Sequence, residues 1–531
     1  MAMCIVLSFS ACSGDDGKDY IFKYDIEGNP RTLDPQTANE SSAAELIANI
    51  FDGLLRLDND GNVECAVAES YTVSDDGLVY NFRLHENVYW TDGDEFKEQC
   101  TAADFVFAFQ RLFKPSTKSS VAGSFFCIKN AEKVFGGSLS DYTQIGVKAE
   151  GDFELEITLE YPNPMLPVLL TTAPAMPCNE KFYYKTGGRY GLGADTIASN
   201  GSFYIQSWSY DQWSRDNNNI ILRRNSLNNA DENICPYGLN FFIDEEDSCT
   251  NFIEGESHVY ITSGDEAVKL LDLGFSYTQS DNTVWGIMFN VRSEGMFANE
   301  HLREAVAYST DRESAVLNST GYSKAWDLVP ESITVGTLGY RDFAGEKSAL
   351  VYNSALAQAE MTEALKTISR SDFEGAKLIV PDDDELKSYI SYFVQQWQSE
   401  IGFFCNVKTL SSSAYESAVK SGDFDFALVK IAGGYNSPSS YLSCFAKNDG
   451  MNFSGYYNSS YDALVQNAER AATEEKSAEY YSDAEQIIIE KALFIPLCYQ
   501  SGYAFFAKKC EGINYNPFTK TVSFKEARRF S

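Results

Sequence analysis

Histidine is almost missing: the 531 residues hold three, His85, His258 and His301. None stands in the H-E-x-x-H spacing of a metal hydrolase, so each reads as a surface or internally satisfied histidine. No two cysteines form a C-x-x-C pair, which leaves zinc ribbons and thioredoxin-like redox pairs without support. There is no P-loop, no G-x-S-x-G elbow and no G-x-G-x-x-G between a strand and a helix. The run Gly187-Gly188-Arg189-Tyr190-Gly191-Leu192-Gly193 is glycine-rich with the wrong spacing. Basic residues are scarce, 42 against 76 acidic ones, and a net charge of -34 repels nucleic acid. No stretch approaches the roughly 20 consecutive apolar residues of a membrane helix. These absences lead us to expect no catalytic residue, no metal and no cofactor. Carboxylates are abundant, yet nothing singles out an acid/base pair of the glycosidase kind.

Core material is present in ordinary amounts, with 44% hydrophobic and 22% charged residues, and a chain of this length is expected to form two or three domains. The acidity reads as a solvated, self-repelling surface that keeps the chain monomeric. At the N-terminus a short apolar run ends Phe9-Ser10-Ala11-Cys12 and turns abruptly polar at Ser13-Gly14-Asp15-Asp16-Gly17-Lys18. Small residues before a cysteine and a Gly/Asp/Lys tether after it resemble a bacterial lipoprotein signal whose Cys12 carries the lipid. The alternative is a tail with a fortuitous cysteine, since no Lys or Arg precedes the run and Phe9 replaces the usual Leu. Beyond Cys4 and Cys12, ten cysteines at 65, 100, 127, 178, 235, 249, 405, 444, 498 and 510 are open to disulfides or to buried free thiols.

Residues 78–84 and 153–159 alternate apolar and polar as half-buried antiparallel strands do. Between them Thr101-Ala102-Ala103-Asp104 opens a helix through Phe105, Phe109 and Leu112, with Thr101 and Asp104 placed for a capping box. Strands at 377–380, 404–408 and 426–431 are separated by helical segments, which implies a parallel sheet. The helix at 385–401 carries Tyr389, Phe393 and Trp397 on one face and stops at Gly402. Helices near 460–472 and 474–492 come next, then extended segments at 494–500 and 503–507. In parallel sheets ligands bind where loops leave the carboxyl ends of strands. That points to Ala432-Gly433-Gly434-Tyr435-Asn436-Ser437-Pro438 as a ligand wall, the alternative being a turn needing positive φ at the glycines.

Several segments in order resemble the oligopeptide- and dipeptide-binding proteins of ABC importers, family 5 of the bacterial solute-binding proteins. They are Thr32-Leu33-Asp34-Pro35, Ile50-Phe51-Asp52-Gly53-Leu54-Leu55, Ala68-Glu69-Ser70-Tyr71, Ser74-Asp75-Asp76-Gly77 with the strand Tyr80-Asn81-Phe82-Arg83-Leu84, Trp90-Thr91-Asp92-Gly93, Thr101-Ala102-Ala103-Asp104-Phe105-Val106-Phe107-Ala108 and Arg111. Asn200-Gly201-Ser202-Phe203, Trp208 and the run from Leu302-Arg303 to Asp311-Arg312 complete the set. The resemblance implies an α/β, two-lobed periplasmic-binding-protein-like fold with a hinge and an inserted α+β subdomain. By analogy 1–18 is signal and tether, 19–56, 196–275 and 495–531 form lobe I, 57–195 the insertion and 276–494 lobe II. Chain crossings near 276 and 494 form the hinge.

In function the resemblance implies an extracytoplasmic lipoprotein that captures oligopeptides in an interlobe cleft. It delivers them to permease subunits served by a cytoplasmic ATPase, performs no chemistry and meets the membrane only through its lipid. The cleft is expected to include Asn39, Ser41, Trp285, Met288, Gly434, Tyr435 and Ser437. One departure stands out: aligned on Tyr435 and Pro438, the family's ammonium-binding aspartate is replaced by Gly434 and its tryptophan by Ile431. Either another acid supplies the charge or the ligand has no free amine, as with an oligosaccharide. A sensor that presents its ligand to a receptor and a hydrolase are the competing functions.

Overall fold

The structure, a computed structural model, describes residues 20–58, 63–163, 165–213, 217–228, 233–243, 247–292, 295–315, 321–345, 350–447, 452–471 and 473–530. Cys4, Cys12 and the rest of segment 1–18 lie outside the described residues.

The alternating segments form strands Val79–Leu84 and Glu154–Thr158, paired antiparallel at the centre of a four-stranded sheet with Ala68–Val73 and Val147–Gly151 outside them. The helix Ala102–Phe113 starts with the expected capping box, the Asp104 carboxylate accepting from Thr101 N at 2.8 Å. The same carboxylate accepts from Trp90 Nε1 and Asn179 Nδ2, so one buried acid ties three segments together. A second four-stranded sheet runs Ile21–Ile26, Gly238–Ile243, Asn219–Arg224, Phe203–Ser209. Both sheets share one continuous buried core, which includes Phe22, Phe105, Phe109 and Phe241 and takes in Phe505 and Phe524 from the C-terminal region. The two sheets are therefore fused through a shared apolar interior.

The second body is built on a seven-stranded sheet in the order Val259–Thr262, Phe494–Phe506, Ser276–Phe289, Phe426–Ala432, Ala376–Pro381, Cys405–Leu410, with Tyr322–Lys324 also pairing Phe494–Phe506. The three strands read from sequence are parallel, as expected. The sheet as a whole is mixed, because Ser276–Phe289 and Phe494–Phe506 join it antiparallel. The two extended segments at 494–500 and 503–507 are a single strand. Helix Asp384–Ile401 packs Phe393 and Trp397 on one face of the sheet and ends at Gly402, whose φ of 64° is the left-handed cap. Helices Ser459–Glu469 and Glu474–Glu490 cover the other face through Tyr461, Tyr481 and Ile488.

Two long strands therefore connect the bodies. Near 276–280 and 502–506 they run beside the first core, and from 284 and 498 they belong to the second. Their register shifts between Ser280 and Thr283. All ten cysteines from Cys65 to Cys510 are free thiols.

One buried acid gives lobe I a pH dependence. Glu45 accepts from Tyr24 Oη at 3.0 Å and from Val522 N at 2.8 Å. Burial pushes its carboxyl up from 4.5 to about 8, outweighing those two hydrogen bonds. Between these values the folded chain holds a proton the unfolded chain has released, so the contribution of Glu45 to stability is full below pH 4.5 and declines towards pH 8. Glu45→Gln is expected to remove this slope. Melting curves should show the variant gaining on the parent as pH rises from about 5 to about 8; a constant difference would contradict the assignment.

Candidate functional site

Strand Phe426–Ala432 pairs along its length with Ser276–Phe289, but with Ala376–Pro381 only at Leu378↔Phe426 and Ile379↔Ala427. Beyond 427 the parallel ladder stops, which leaves main chain at 428–432 with a strand neighbour on one side only, Leu428 O accepting instead from Tyr415 Oη at 2.6 Å. The loop at 433–438 leaves this strand end. Neither Gly433 nor Gly434 has positive φ, so the requirement for a left-handed turn does not explain them. Gly433 is needed for close approach, because a Cβ there would sit 2.6 Å from Tyr441 Oη and 2.8 Å from Ser440 Oγ. Gly434 is exposed, and a Cβ built on it meets nothing within 4 Å. The position that holds an acid in the resembled family thus opens onto free space here.

The loop is pinned at the junction of the two bodies. Gly433 N donates to Asn282 O at 3.2 Å and Tyr441 Oη to the same oxygen at 2.6 Å. Asn282 lies in the register break between the connecting strands, and its Nδ2 reaches Pro517 O of the first body at 2.8 Å. Asn436 Oδ1 accepts from Thr334 N at 2.9 Å, and the Tyr435 ring packs against the first core although its backbone belongs to the second body. Ser437 is buried, its Oγ accepting from Ser439 N. Next to this group the Arg470 guanidinium lies 4.2 Å from the Tyr161 ring, a cation–π contact from the second body to the insertion.

Gly434, Tyr435 and Ser437 are thus brought together at the junction. Trp285 is nearby on the adjoining strand, largely buried, with Nε1 donating to Gln500 Oε1 at 2.8 Å and Lys430 above its ring. Met288 does not share its wall. Three residues apart on a strand, the two side chains point to opposite faces. Trp285 joins the core on one face, and Met288, 1% exposed, joins the core on the other beside Val284. Met288 is corrected to a core residue. Asn39 and Ser41 are exposed; Asn39 Nδ2 donates to Ser120 Oγ at 3.3 Å, so its partner lies in the insertion and not in the 433–438 loop.

Sequence reasoning missed Asn282, Tyr161, Glu469 and Arg470. Tyr161 and Arg470 are separated by hundreds of residues, and Glu469-Arg470 at a helix end reads as solvated charge, so no local signal was available. His258 is internally satisfied, with Tyr20 Oη 2.6 Å from Nε2 and Lys23 N donating to Nδ1, and burial lowers it to about 4. Spacing along the chain did not show that His301, Glu304 and Glu360 come together. Their ligand atoms lie within 4.8 Å of one another on the helices Glu300–Tyr308 and Ser354–Ala364, the one such grouping among the described residues.

Comparison with known proteins agrees with this architecture. The chain is 24% identical over 545 residues to the dipeptide-binding protein of Lactococcus lactis subsp. cremoris, covering 97% of this chain and 96% of that one. It is 26% identical over 492 residues to the probable deoxycholate-binding periplasmic protein YgiS of Escherichia coli, covering 90% and 88%. The fold matches Listeria monocytogenes OppA bound to peptide with a TM-score of 0.78 at 23% identity, over 97% of this chain and 99% of that one. These relatives are named as binding proteins and not as enzymes. The model of the bacterial extracellular solute-binding proteins, family 5 Middle, matches residues 62–453, and with more than half its length so matched the chain belongs to that family.

Proposed function

We propose that this chain captures oligopeptides or related solutes between its two bodies and hands them to an ABC permease driven by a cytoplasmic ATPase, held at the outer face of the cell membrane by lipid on Cys12. The observation that carries the reading is the half-unpaired strand end at 429–432 running into an open glycine loop at the junction. Unpaired main-chain N–H and C=O groups accept an extended peptide in any sequence, which gives affinity without side-chain selectivity. Residues 19–56, 196–275 and 495–531 would act as lobe I, 57–195 as its insertion and 276–494 as lobe II. The hinge then falls at the register break near 280–283 and 500–502. A ligand that touches both lobes favours the closed form by its differential affinity.

Small-angle scattering with and without candidate ligands tests this. Compaction by a short peptide, matched by a rise in melting temperature, is the expected result; one unchanging shape against peptides, oligosaccharides and bile acids would refute capture by closure. A ligand without an amine is the second reading, favoured by Gly434 and by the name of the YgiS relative.

The Arg470–Tyr161 contact joins the lobes without touching the loop itself, so Arg470→Ala is expected to weaken all ligands alike. A cation–π contact of about 0.5–2 kcal/mol corresponds to a loss of roughly 2- to 30-fold. Calorimetric titration with two chemically different ligands checks it, and a loss confined to one of them would contradict a closure role.

A further inference from the structure

The junction contains an acid that forms no salt bridge among the described residues. Glu469 ends the helix Ser459–Glu469, is half-buried, and its Oε1 accepts from Ser439 Oγ at 3.1 Å. Its neighbour Arg470 is turned to the Tyr161 ring, and among the described residues no lysine or arginine forms a salt bridge with Glu469. Its position relative to the loop is fixed by its surroundings. Ser439 directly follows the 433–438 segment, and its backbone N donates to Ser437 Oγ of that loop at 3.2 Å. Arg470, the next residue, meets the Tyr161 ring at 4.2 Å, so this helix end lies at the junction.

A half-buried carboxylate with one neutral partner is unfavourable unless it takes a proton or meets a cation. Burial accordingly pushes its carboxyl above the usual range, against the Ser439 hydrogen bond and the Arg470 charge. Two other buried acids of this protein carry a cation, whereas Glu45 and Asp104 are held by hydrogen bonds alone. Asp34 has Arg111, and Glu485 has Arg341, Tyr340 Oη and Val329 N. Glu469 differs in lying at the edge of a loop that opens onto free space.

Resting on the capture reading above, we propose that Glu469 receives the positive charge of the ligand, so that the cleft selects solutes bearing a primary ammonium. Burial disfavours the bare charge in the empty site; in the occupied site the carboxylate gains a charge-assisted hydrogen bond from the ligand nitrogen. The acid at 434 is then dispensable, because the charge comes from the helix end beside the loop.

The test compares the full chain with Glu469→Gln, which keeps an oxygen acceptor for Ser439 and removes the charge. Trialanine and N-acetyl-trialanine are titrated into both proteins, with spermidine and its triacetylated form as a second pair. The expected result is a 10- to 100-fold loss for the free amines in Glu469→Gln, no change for the acetylated forms and an unchanged melting temperature without ligand. Adding Gly434→Asp to Glu469→Gln should regain most of the free-amine affinity, since a side chain at 434 has room. Equal losses for free and acetylated forms, or no loss at all, would overturn the assignment while leaving peptide capture standing. Binding of spermidine but neither peptide, with the loss confined to spermidine, would sink peptide capture and keep Glu469. Parent protein that binds acetylated forms as well as free amines, or no amine of either pair, would overturn it outright.

Discussion

Arg111→Met is expected to destabilise the protein by about 3–5 kcal/mol, the usual result of removing one partner from a buried ion pair. The Arg111 and Asp34 side chains are 8% and 9% exposed, and the fork is bidentate, Nη1 reaching Asp34 Oδ1 at 3.1 Å and Nη2 reaching Oδ2. Nη1 also donates to Gln36 Oε1 at 2.7 Å, and the guanidinium lies 4.2 Å from the Tyr183 ring. Methionine fills much of the stem volume but leaves the Asp34 carboxylate buried without its cation, next to a Cys178 thiol that burial already pushes to about 12. Because this pair joins the N-terminal segment to the insertion, the loss should appear as a fall of roughly 6–20 °C in the melting of the first body. Combining it with Asp34→Leu removes the stranded charge and should recover part of the loss. A fall below about 1 kcal/mol in the single variant would show that the carboxylate finds water or a proton instead.

Gly201→Ala is the second large effect, about 3 kcal/mol, at the upper end of overpacking because nothing around it can yield. A Cβ at 201 would lie 2.7 Å from Ile50 C and Phe51 N and 2.8 Å from Phe51 C, all backbone. The same approach lets Gly201 N donate to Ile50 O at 3.0 Å, while the flanking Asn200 side chain brackets Asp52 through its main-chain N and O. Forcing the two segments apart by one methyl therefore breaks several hydrogen bonds together. Gly123→Ala is the control, since its Cβ meets nothing within 4 Å and it should stay within about 0.5 kcal/mol. Urea unfolding of the two variants side by side decides it; equal midpoints would remove close approach as the reason for the glycine.

Both effects fall on motifs that carried the family resemblance. Thr32-Leu33-Asp34-Pro35 and Arg111 meet in an ion pair, Trp90 and the Asp104 cap meet in a hydrogen bond, and Phe51-Asp52 and Asn200-Gly201 meet as touching backbones. Arg312, at the end of the run from 302, donates to Pro496 O in a connecting strand at 3.0 Å. Ordered motifs therefore announced the struts of the fold, and that is why the architecture was legible while the ligand was not. Of the candidate site, the glycine loop was singled out because a parallel strand must end in a loop at its carboxyl end. Met288 was misplaced because a position near the hinge says nothing about which sheet face a side chain takes.

Periodicity, capping residues and motif order by themselves determined the strands at 79–84 and 376–381, the capped helix after Thr101 and membership of a two-lobed binding fold. These depend on neighbours within a few residues, or on backbone contacts that only certain residue types permit. Only the tertiary structure decided that Ser276–Phe289 and Phe494–Phe506 pair to connect the bodies, that position 434 opens onto space, and that Arg470 meets Tyr161 beside a Glu469 without a salt bridge. Such contacts join residues separated by hundreds of positions, and a charge at a helix end looks the same in sequence whether it faces water or the opposite lobe.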